Sequence, residues 1–206
     1  MTPLIIAISG PSGSGKTLLV DNILSAFDSN TIAVIREDSY YKDQSHVPFS
    51  EREKRNYDEP DAFEHELLHR HLLSLSRNEP IDMPVYDYTT YTRLAQTNKI
   101  NPAPIVLIDG ILIFSQHEIR ALSDLSLFID APLDTCLIRR IRRDISSRKR
   151  TVDSVLNQYE LFVRPMYWQY IAPSKEYADV VVTGGGDNPK ALDLIKVKIQ
   201  SHLNSL

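Results

Sequence analysis

Eight residues join an apolar segment to a helical pattern and have the spacing of a phosphate-binding loop. They read GPSGSGKT and fit G-x-x-x-x-G-K-[ST]. In that motif, backbone N–H groups of a glycine turn and the positive end of the next helix surround phosphate oxygens. The lysine reaches the terminal phosphates and the threonine holds Mg²⁺. The motif predicts an ATP site, with GTP as the alternative donor, made by Gly10, Pro11, Ser12, Gly13, Ser14, Gly15, Lys16, Thr17 and Leu18.

Two aspartates follow apolar segments typical of parallel strands. Asp38 comes after TIAVIRE, and Asp109 ends IVLID. Because ligands bind at the carboxyl edge of parallel sheets, we expect both carboxylates near the phosphate loop. One acid suits a general base for an acceptor hydroxyl, and the other suits the Mg²⁺ shell. The pattern favours phosphoryl transfer over a GTP switch, because the nearest base-reading string, NKIN at 98–101, lacks its aspartate.

Residues 139–150, RRIRRDISSRKR, place seven basic side chains in twelve positions of a chain whose net charge is −4. Arginines that arrive as a lid closes stabilise charge on a transferring phosphoryl group, so we predict a lid over 139–170. An ordinary solvated face is the alternative. The predicted helix 132–147 buries Leu133, Leu137, Ile141 and Ile145. Its flanks and exposed face then carry Arg139, Arg140, Arg142 and Arg143.

The elements that must position these residues alternate between apolar segments and helical patterns. This alternation predicts an α/β fold of the P-loop NTPase type, a parallel sheet with helices on both faces. The predicted strands are 4–9, 31–35, 105–109, 125–130 and 178–183. The predicted helices are 16–27, 61–76, 132–147, 151–169 and 188–203, the second opened by Pro60 and an Asp61…Glu64 capping box. Residues 78–104, rich in Pro, Tyr and Thr, predict an inserted β-hairpin.

Length and composition narrow the class of protein. A chain of 206 residues suits one domain spanning 1–206. No segment approaches the length of a membrane span, and no secretory leader pattern is found, so a membrane protein is not expected. The single cysteine, Cys136, allows no intrachain disulfide and fits a reducing cytoplasm. The negative net charge argues against a general nucleic-acid binder.

A second motif points to different chemistry. Residues 65–69 read HELLH, the H-E-x-x-H pattern of zinc proteases. We expect an incidental match, because the helix places both histidines outside its apolar arc and no downstream motif supplies a third ligand. The helix is therefore predicted to turn His65 and His69 to solvent, and stoichiometric bound zinc would contradict this interpretation.

Longer segments resemble the uridine-cytidine kinase family, bacterial uridine kinases in particular. In chain order they are GPSGSGKT, EDSYYKDQSH, NYDEPDAF, PVYDYTTYTR, IDGILIF, RRIRRDISSRKR, QYELFVRPMYWQYIAPSKEYADVVV and GGGDNP. They cover nearly the whole chain. The resemblance implies ATP- and Mg²⁺-dependent phosphorylation of the 5′-hydroxyl of cytidine or uridine in pyrimidine salvage. It also implies a cytoplasmic homotetramer that CTP or UTP inhibits.

The resemblance also implies roles for individual residues. Asp38 matches the base for the ribose 5′-hydroxyl, and Asp58 with Arg140 matches the contacts to the 2′- and 3′-hydroxyls. The other implied nucleoside contacts are Tyr41, Tyr57, Tyr86, Tyr88, Tyr91 and Gln158. The catalytic residues that it implies are Lys16, Asp38, Arg143 and Arg148. The implied Mg²⁺ ligands are Thr17, Asp38 and Asp109. The resemblance also places Arg150 and Asp187 beside the nucleotide.

Tyr91 departs from the family pattern, where many members place a histidine that contacts position 4 of the base. A neutral imidazole presents a donor or an acceptor by choice of tautomer. Tyrosine is longer and, paired with Tyr86, is expected to leave one exocyclic group unpaired, at a cost of about 1 to 3 kcal/mol. We therefore predict a cytidine preference, with tolerance of both bases as the alternative. Asp109 also departs, because the family usually has glutamate there.

Two other functions remain open from the sequence. One is a P-loop kinase of another small alcohol, which loss of Asp58 would leave unaffected. The other is a nucleic-acid binder that uses 139–150, whose affinity for polynucleotide would fall steeply with salt. Neither nucleic acid nor a membrane is an expected partner of the favoured small-molecule kinase.

Overall fold

The computed structural model describes residues 2–206, and within them the chain forms seven strands. They are β1 (Leu4–Ser9), β2 (Ile32–Arg36), β3 (Ile81–Asp87), β4 (Thr92–Ile100), β5 (Ile105–Asp109), β6 (Leu125–Asp130) and β7 (Val180–Thr183). Five of them form a parallel sheet in the order β2-β5-β1-β6-β7. The five predicted sheet strands are confirmed to within two residues. β3 and β4 pair antiparallel as the predicted hairpin.

The same residues contain nine α-helices. They are α1 (Lys16–Leu24), α2 (Phe49–Arg52), α3 (His65–Ser76), α4 (His117–Arg120), α5 (Leu133–Arg148), α6 (Val152–Gln158), α7 (Arg164–Met166), α8 (Ala172–Ser174) and α9 (Pro189–Leu203). None of the helices in residues 2–206 is long and apolar enough to span a bilayer.

Helices cover both faces of the sheet because its strands are apolar on both faces. On one face, Ile6 and Ile8 of β1 pack against Leu19 and Ile23 of α1 and Ile199 of α9. On the other face, Ile5 and Ala7 pack in a cluster that contains α3 and the segment after β5. This is the alternation that strand geometry requires of a doubly covered parallel sheet.

The predicted helix start at residue 61 is wrong. Pro60–Ala62 form a short 3-10 turn, and α3 begins only at His65. Phe63 is extended and forms a β-bridge with Tyr41, and the Glu64 N–H donates to the Tyr40 carbonyl at 2.8 Å. Pairing with a segment distant in the sequence therefore replaces the local capping box.

The segment predicted as a helix over 151–169 is less regular than its sequence pattern predicts. It begins as expected, with the Thr151 side chain accepting from the Ser154 N–H. It then widens into π-helical turns at Tyr159–Val163 and Tyr167–Ile171 and continues to Ser174. Pro165 and Pro173 lie in this stretch and lack the N–H of a regular helix, which favours such distortions.

The buried face of α5 differs from the predicted one. It consists of Cys136, Arg140 and Asp144, whereas Ile145 is 42% exposed. The other three predicted core residues, Leu133, Leu137 and Ile141, are only partly buried. Arginine can occupy the inner face because it lies between the carboxylates of Asp58 and Asp144, and paired charges tolerate burial. The prediction that Arg140 projects outward is therefore wrong.

Candidate active site

The glycine turn after β1 adopts a backbone conformation in which a Cβ atom would clash with neighbouring residues. Gly10 and Gly13 have φ of +143° and +86°. A Cβ on Gly10 would lie 2.4 Å from the Ile129 carbonyl oxygen, and one on Gly13 the same distance from that of Cys136. Only glycine fits at either place. The turn is a cradle of backbone groups that leads directly into α1.

Lys16 is held inside this cradle. Its ammonium donates to the carbonyls of Gly10 at 2.8 Å and Pro11 at 3.1 Å. Burial lowers the pKa of Lys16, and the nearby carboxylates of Asp109 and Asp38 oppose this shift. The two carbonyl contacts thus hold the Lys16 nitrogen inside the loop, where a lysine can meet phosphate oxygens.

Thr17 and Asp109 offer oxygen atoms at one point beside the cradle. The Thr17 hydroxyl donates to Asp109 Oδ2 at 3.5 Å, and Asp109 is 6% exposed at the end of β5. Burial raises the pKa of Asp109 to about 6, although Arg36 and Lys16 lower it. A hydroxyl and a carboxylate are the ligands a hard cation prefers, so this pair fits Mg²⁺.

Two cavities meet beside the loop. The larger, about 1350 Å³ with the space open to solvent included, is lined by residues that include Gly13, Lys16, Thr17, Leu18, Asp109 and Asp187. The smaller, about 570 Å³ on the same basis, is lined by residues that include Tyr41, Tyr57, Asp58, Tyr86, Tyr91, Arg140 and Gln158. Both cavities share Ser12, Asp38, Tyr88, Ile111, Arg143 and Arg148. Asp38 and the two arginines therefore lie where the cavities join.

A buried ion pair lies on the wall of the smaller cavity. Arg140 Nη1 is 3.7 Å from Asp58 Oδ1, and each side chain is 6% exposed. Arg140 also donates to Ser12 Oγ and Gln158 Oε1, both at 2.9 Å. Burial raises the pKa of Asp58, and the guanidinium of Arg140 opposes this shift. An acceptor and a set of donors fixed side by side can bind two neighbouring hydroxyls.

Tyrosine rings form the rest of this wall. Tyr41 stacks on Phe63 at a centroid distance of 4.2 Å and meets Tyr57 edge to face at 5.5 Å. Tyr91, at a left-handed φ of 53°, stacks on Tyr57 at 5.4 Å. Such surfaces accept a planar ring.

Tyr86 and Tyr88 contribute polar atoms. The Tyr86 hydroxyl is buried, its polar neighbour is the Tyr57 hydroxyl, and burial raises the pKa of Tyr86. Tyr88 donates to Asp38 Oδ2 at 2.9 Å, and the guanidinium carbon of Arg148 lies 4.0 Å from its ring centroid. A ligand in the smaller cavity can supply a well-aligned partner for Tyr86.

The family resemblance places Arg150 with the nucleotide, and in the structure it lines the smaller cavity. Lys149 ends α5 in the left-handed conformation, and the Arg150 N–H donates back to the Asp144 carbonyl at 3.2 Å. This turn directs the guanidinium towards α6, where it bonds Gln158 and, at 2.9 Å, the Ser154 carbonyl. The position of Arg150 is set by the end of the helix.

The HELLH segment does not turn both histidines to solvent, and that expectation is wrong for His65. His65 Nε2 lies 2.8 Å from Oε1 of Glu37, which is wholly buried, and Leu112 N–H donates to the other carboxylate oxygen at 2.9 Å. Within residues 2–206, no group of three or more His, Cys, Asp or Glu side chains could hold a metal ion. His65 is a hydrogen-bonding partner of a buried carboxylate.

Three residues of the site escaped the sequence interpretation. Arg36 lines the larger cavity, as does Arg139 of the predicted lid. Glu37 is buried beside the loop, and Asp144 is buried among arginines. The sequence does contain a signal for the role of Asp144. It is the one acid inside the basic run, and it lies four residues from both Arg140 and Arg148, the spacing of ion pairs on a helix.

The glycine cradle after β1, the lysine inside it and the aspartates at the carboxyl edge of a five-stranded parallel sheet define a P-loop kinase. The phosphoribulokinase from Rhodobacter spheroides shares this fold, with a TM-score of 0.64, 16% identity and coverage of 91% of this chain and 74% of that one.

The particular family follows from sequence similarity over nearly the whole chain. The Phosphoribulokinase / Uridine kinase family profile matches residues 5–190. The uridine kinase of Cronobacter sakazakii is 47% identical over 200 residues, covering 95% of this chain and 94% of the relative. That of Chloroflexus aurantiacus is 46% identical, covering 98% and 97%. The chain belongs to the phosphoribulokinase and uridine kinase family and is a phosphotransferase.

Proposed function

We propose that this enzyme transfers the γ-phosphate of ATP to the 5′-hydroxyl of cytidine or uridine, as in pyrimidine salvage. The observation that carries the proposal is the position of Asp38 where two cavities join. One cavity has the phosphate cradle, and the other has a buried carboxylate–arginine pair and tyrosine rings. The names of the relatives agree with a nucleoside acceptor.

In the larger cavity, the cradle and Lys16 bind the phosphates of ATP, with GTP as the alternative donor, and Asp187 lies towards its base. Thr17 and Asp109 hold Mg²⁺, with Asp38 nearby. When bound, Mg²⁺ neutralises charge on the phosphate oxygens. Arg143 and Arg148 face the same place and stabilise charge that spreads over the transferring group.

In the smaller cavity, Asp58 accepts hydrogen bonds from the 2′- and 3′-hydroxyls of the ribose, and Arg140 and Gln158 complete this contact. The 5′-hydroxyl then lies beside Asp38, which takes its proton as general base. Tyr88 holds the Asp38 carboxylate by its hydrogen bond. The base lies against the rings of Tyr41, Tyr57 and Tyr91, which line this cavity.

We propose that Tyr91 and Tyr86 distinguish the two pyrimidines and favour cytidine. The buried Tyr86 hydroxyl lines the smaller cavity and is placed to meet a polar edge of the base. Tyr91 has its hydroxyl at the end of a longer side chain than the histidine usual in the family. A tetrameric assembly in the cytoplasm with inhibition by CTP or UTP is also proposed, on the family resemblance alone.

The placement of the basic run beside the cavities favours a kinase over a nucleic-acid binder. Five of its seven basic residues line the two cavities: Arg139, Arg140, Arg143, Arg148 and Arg150. Three of these, Arg140, Arg148 and Arg150, have side chains at most 21% exposed and are therefore poorly placed to contact a polynucleotide. Affinity for polynucleotide that falls steeply with salt would contradict this argument.

The test is ATP- and Mg²⁺-dependent phosphorylation of cytidine, uridine and adenosine, compared as kcat/KM. We expect activity on the two pyrimidines, and a loss of at least about a hundredfold in kcat for Asp38→Asn with the KM for ATP unchanged. Asp58→Ala is expected to raise the nucleoside KM while leaving ATP binding nearly intact. Activity on neither pyrimidine overturns the proposal, and full activity of Asp58→Ala points to another small alcohol.

A further inference from the structure

One wholly buried carboxylate lies among four arginines of the site. Arg143 Nε donates to Asp144 Oδ1 at 2.8 Å. Three further guanidinium groups approach Asp144 at 3.6 to 3.9 Å, from Arg140, Arg148 and Arg150. All four arginines line the smaller cavity, and Arg143 and Arg148 also line the larger one.

The four cations would repel one another without this carboxylate. Asp58 neutralises Arg140 from the other side, at 3.7 Å. Arg143 and Arg148 have no other carboxylate within 4.0 Å among residues 2–206. Asp144 is therefore the shared counter-ion that holds both arginines at the junction of the cavities.

Asp144 attracts these arginines while engaging few of their donors, because Arg143 gives it only the Nε–H and Arg148 Nε stays at 3.6 Å. Asp144 Oδ2 is buried and makes no hydrogen bond with any described residue, because the nearest guanidinium nitrogens stay at 3.7 and 3.9 Å. The ring of Tyr88 supports Arg148 by a cation–π contact and not through a donor. N–H groups of Arg143 and Arg148 thus remain for phosphate oxygens.

We propose that Asp144 is a positioning residue for phosphoryl transfer, which fixes Arg143 and Arg148 at the place where the phosphate passes between the cavities. This inference rests on the proposed function. It predicts an effect on kcat more than on the nucleoside KM, because Arg140 is also fixed by Asp58, Ser12 and Gln158.

The decisive variant is Asp144→Asn, which keeps the shape and removes the charge. The matched control is Asp124→Asn, an exposed carboxylate that accepts the Ile5 N–H at 2.8 Å away from both cavities. We expect kcat at least about tenfold lower in Asp144→Asn, with the nucleoside KM within about threefold. The control is expected to keep wild-type kcat even if its Tm falls.

The sign of a binding change separates positioning from charge alone. Removing a negative charge near a phosphate site strengthens anion binding by simple electrostatics, whereas misplaced arginines weaken it. We expect the Kd for inorganic tripolyphosphate, measured by calorimetry, to rise at least about fivefold in Asp144→Asn and to stay constant in Asp124→Asn. Equal or tighter binding, or wild-type kcat in the folded variant, overturns the inference.

If Asp144→Asn does not fold, Asp144→Glu is the variant to measure, because it keeps the charge and displaces it by one methylene. A folded glutamate variant with wild-type kcat contradicts the positioning role of Asp144. If the wild-type chain phosphorylates no nucleoside, the proposed function fails, while the tripolyphosphate comparison still decides the role of Asp144.

Discussion

The hydroxyl of Tyr88 donates a 2.9 Å hydrogen bond to Asp38 Oδ2, so the acid where the two cavities join is oriented by a residue of the inserted hairpin. Tyr88 follows β3, whereas Asp38 follows β2. The hairpin therefore does more than cover the smaller cavity. It aims the carboxylate that we assign as the base.

Tyr88→Phe keeps the ring under Arg148 and removes only the hydroxyl. A hydrogen bond to a charged group contributes about 1.5 to 3 kcal/mol, so kcat/KM for the nucleoside is expected to fall at least about tenfold. The KM for ATP should stay within about twofold. Tyr40→Phe is the control, because that hydroxyl bonds His71 instead. Equal losses in both variants, measured by steady-state kinetics, would show that the hydroxyl has no specific role.

Asp109→Asn is expected to stabilise the metal-free protein at neutral pH. Burial raises the pKa of Asp109 from 3.8 to about 6, so the native state holds the proton more tightly than the unfolded chain. The free energy of unfolding then falls as the pH rises from about 4 to about 6, by up to about 3 kcal/mol, and the asparagine variant avoids this loss.

Urea unfolding in EDTA at several pH values measures this effect. The variant and the wild type should converge below about pH 4 and differ most above about pH 6. A wild type more stable than Asp109→Asn at pH 7 would show that partners of the carboxylate outweigh its burial.

Gly186→Ala is expected to disrupt the phosphate loop. A Cβ on Gly186 would lie 1.9 Å from the Gly15 carbonyl oxygen, so the loop must move. The Kd for a non-hydrolysable ATP analogue should rise at least about tenfold by calorimetry. Gly184→Ala is the control: nothing lies within 4 Å of its Cβ, and its φ of +80° costs about 1 kcal/mol of strain. If the control weakens binding equally, local strain and not contact with the loop explains the effect.

Tyr91→His is expected to raise kcat/KM for uridine relative to cytidine by about tenfold, since an imidazole matches either exocyclic group. The substitution suits the backbone, because histidine is enriched at positive φ and Tyr91 has a φ of 53°. Tyr91→Phe keeps the ring stacked on Tyr57 and removes the hydroxyl. An unchanged substrate ratio in both variants would mean that Tyr91 does not select the base.

The basic run 139–150 is the segment where the structure differs most from the prediction. Its helix and its nearness to the phosphate loop are as predicted, but the spacing of its isoleucines and leucines indicated the wrong buried face. Helical periodicity assumes that apolar side chains turn inward. Here the partners of α5 are the carboxylate of Asp58 and the loop hydroxyl of Ser12, so Arg140 and Asp144 are inside.

The sequence by itself determined the features that consecutive residues encode: the phosphate loop, the five apolar strands of the sheet and the hairpin. Their conformations depend on local geometry and on which positions repeat. Only the tertiary structure decided that Arg140 meets Asp58, that His65 bonds Glu37 and that Gly186 lies against Gly15. Each of these contacts joins segments far apart in the chain, and a buried charge or a close backbone approach is acceptable only when its distant partner is in place.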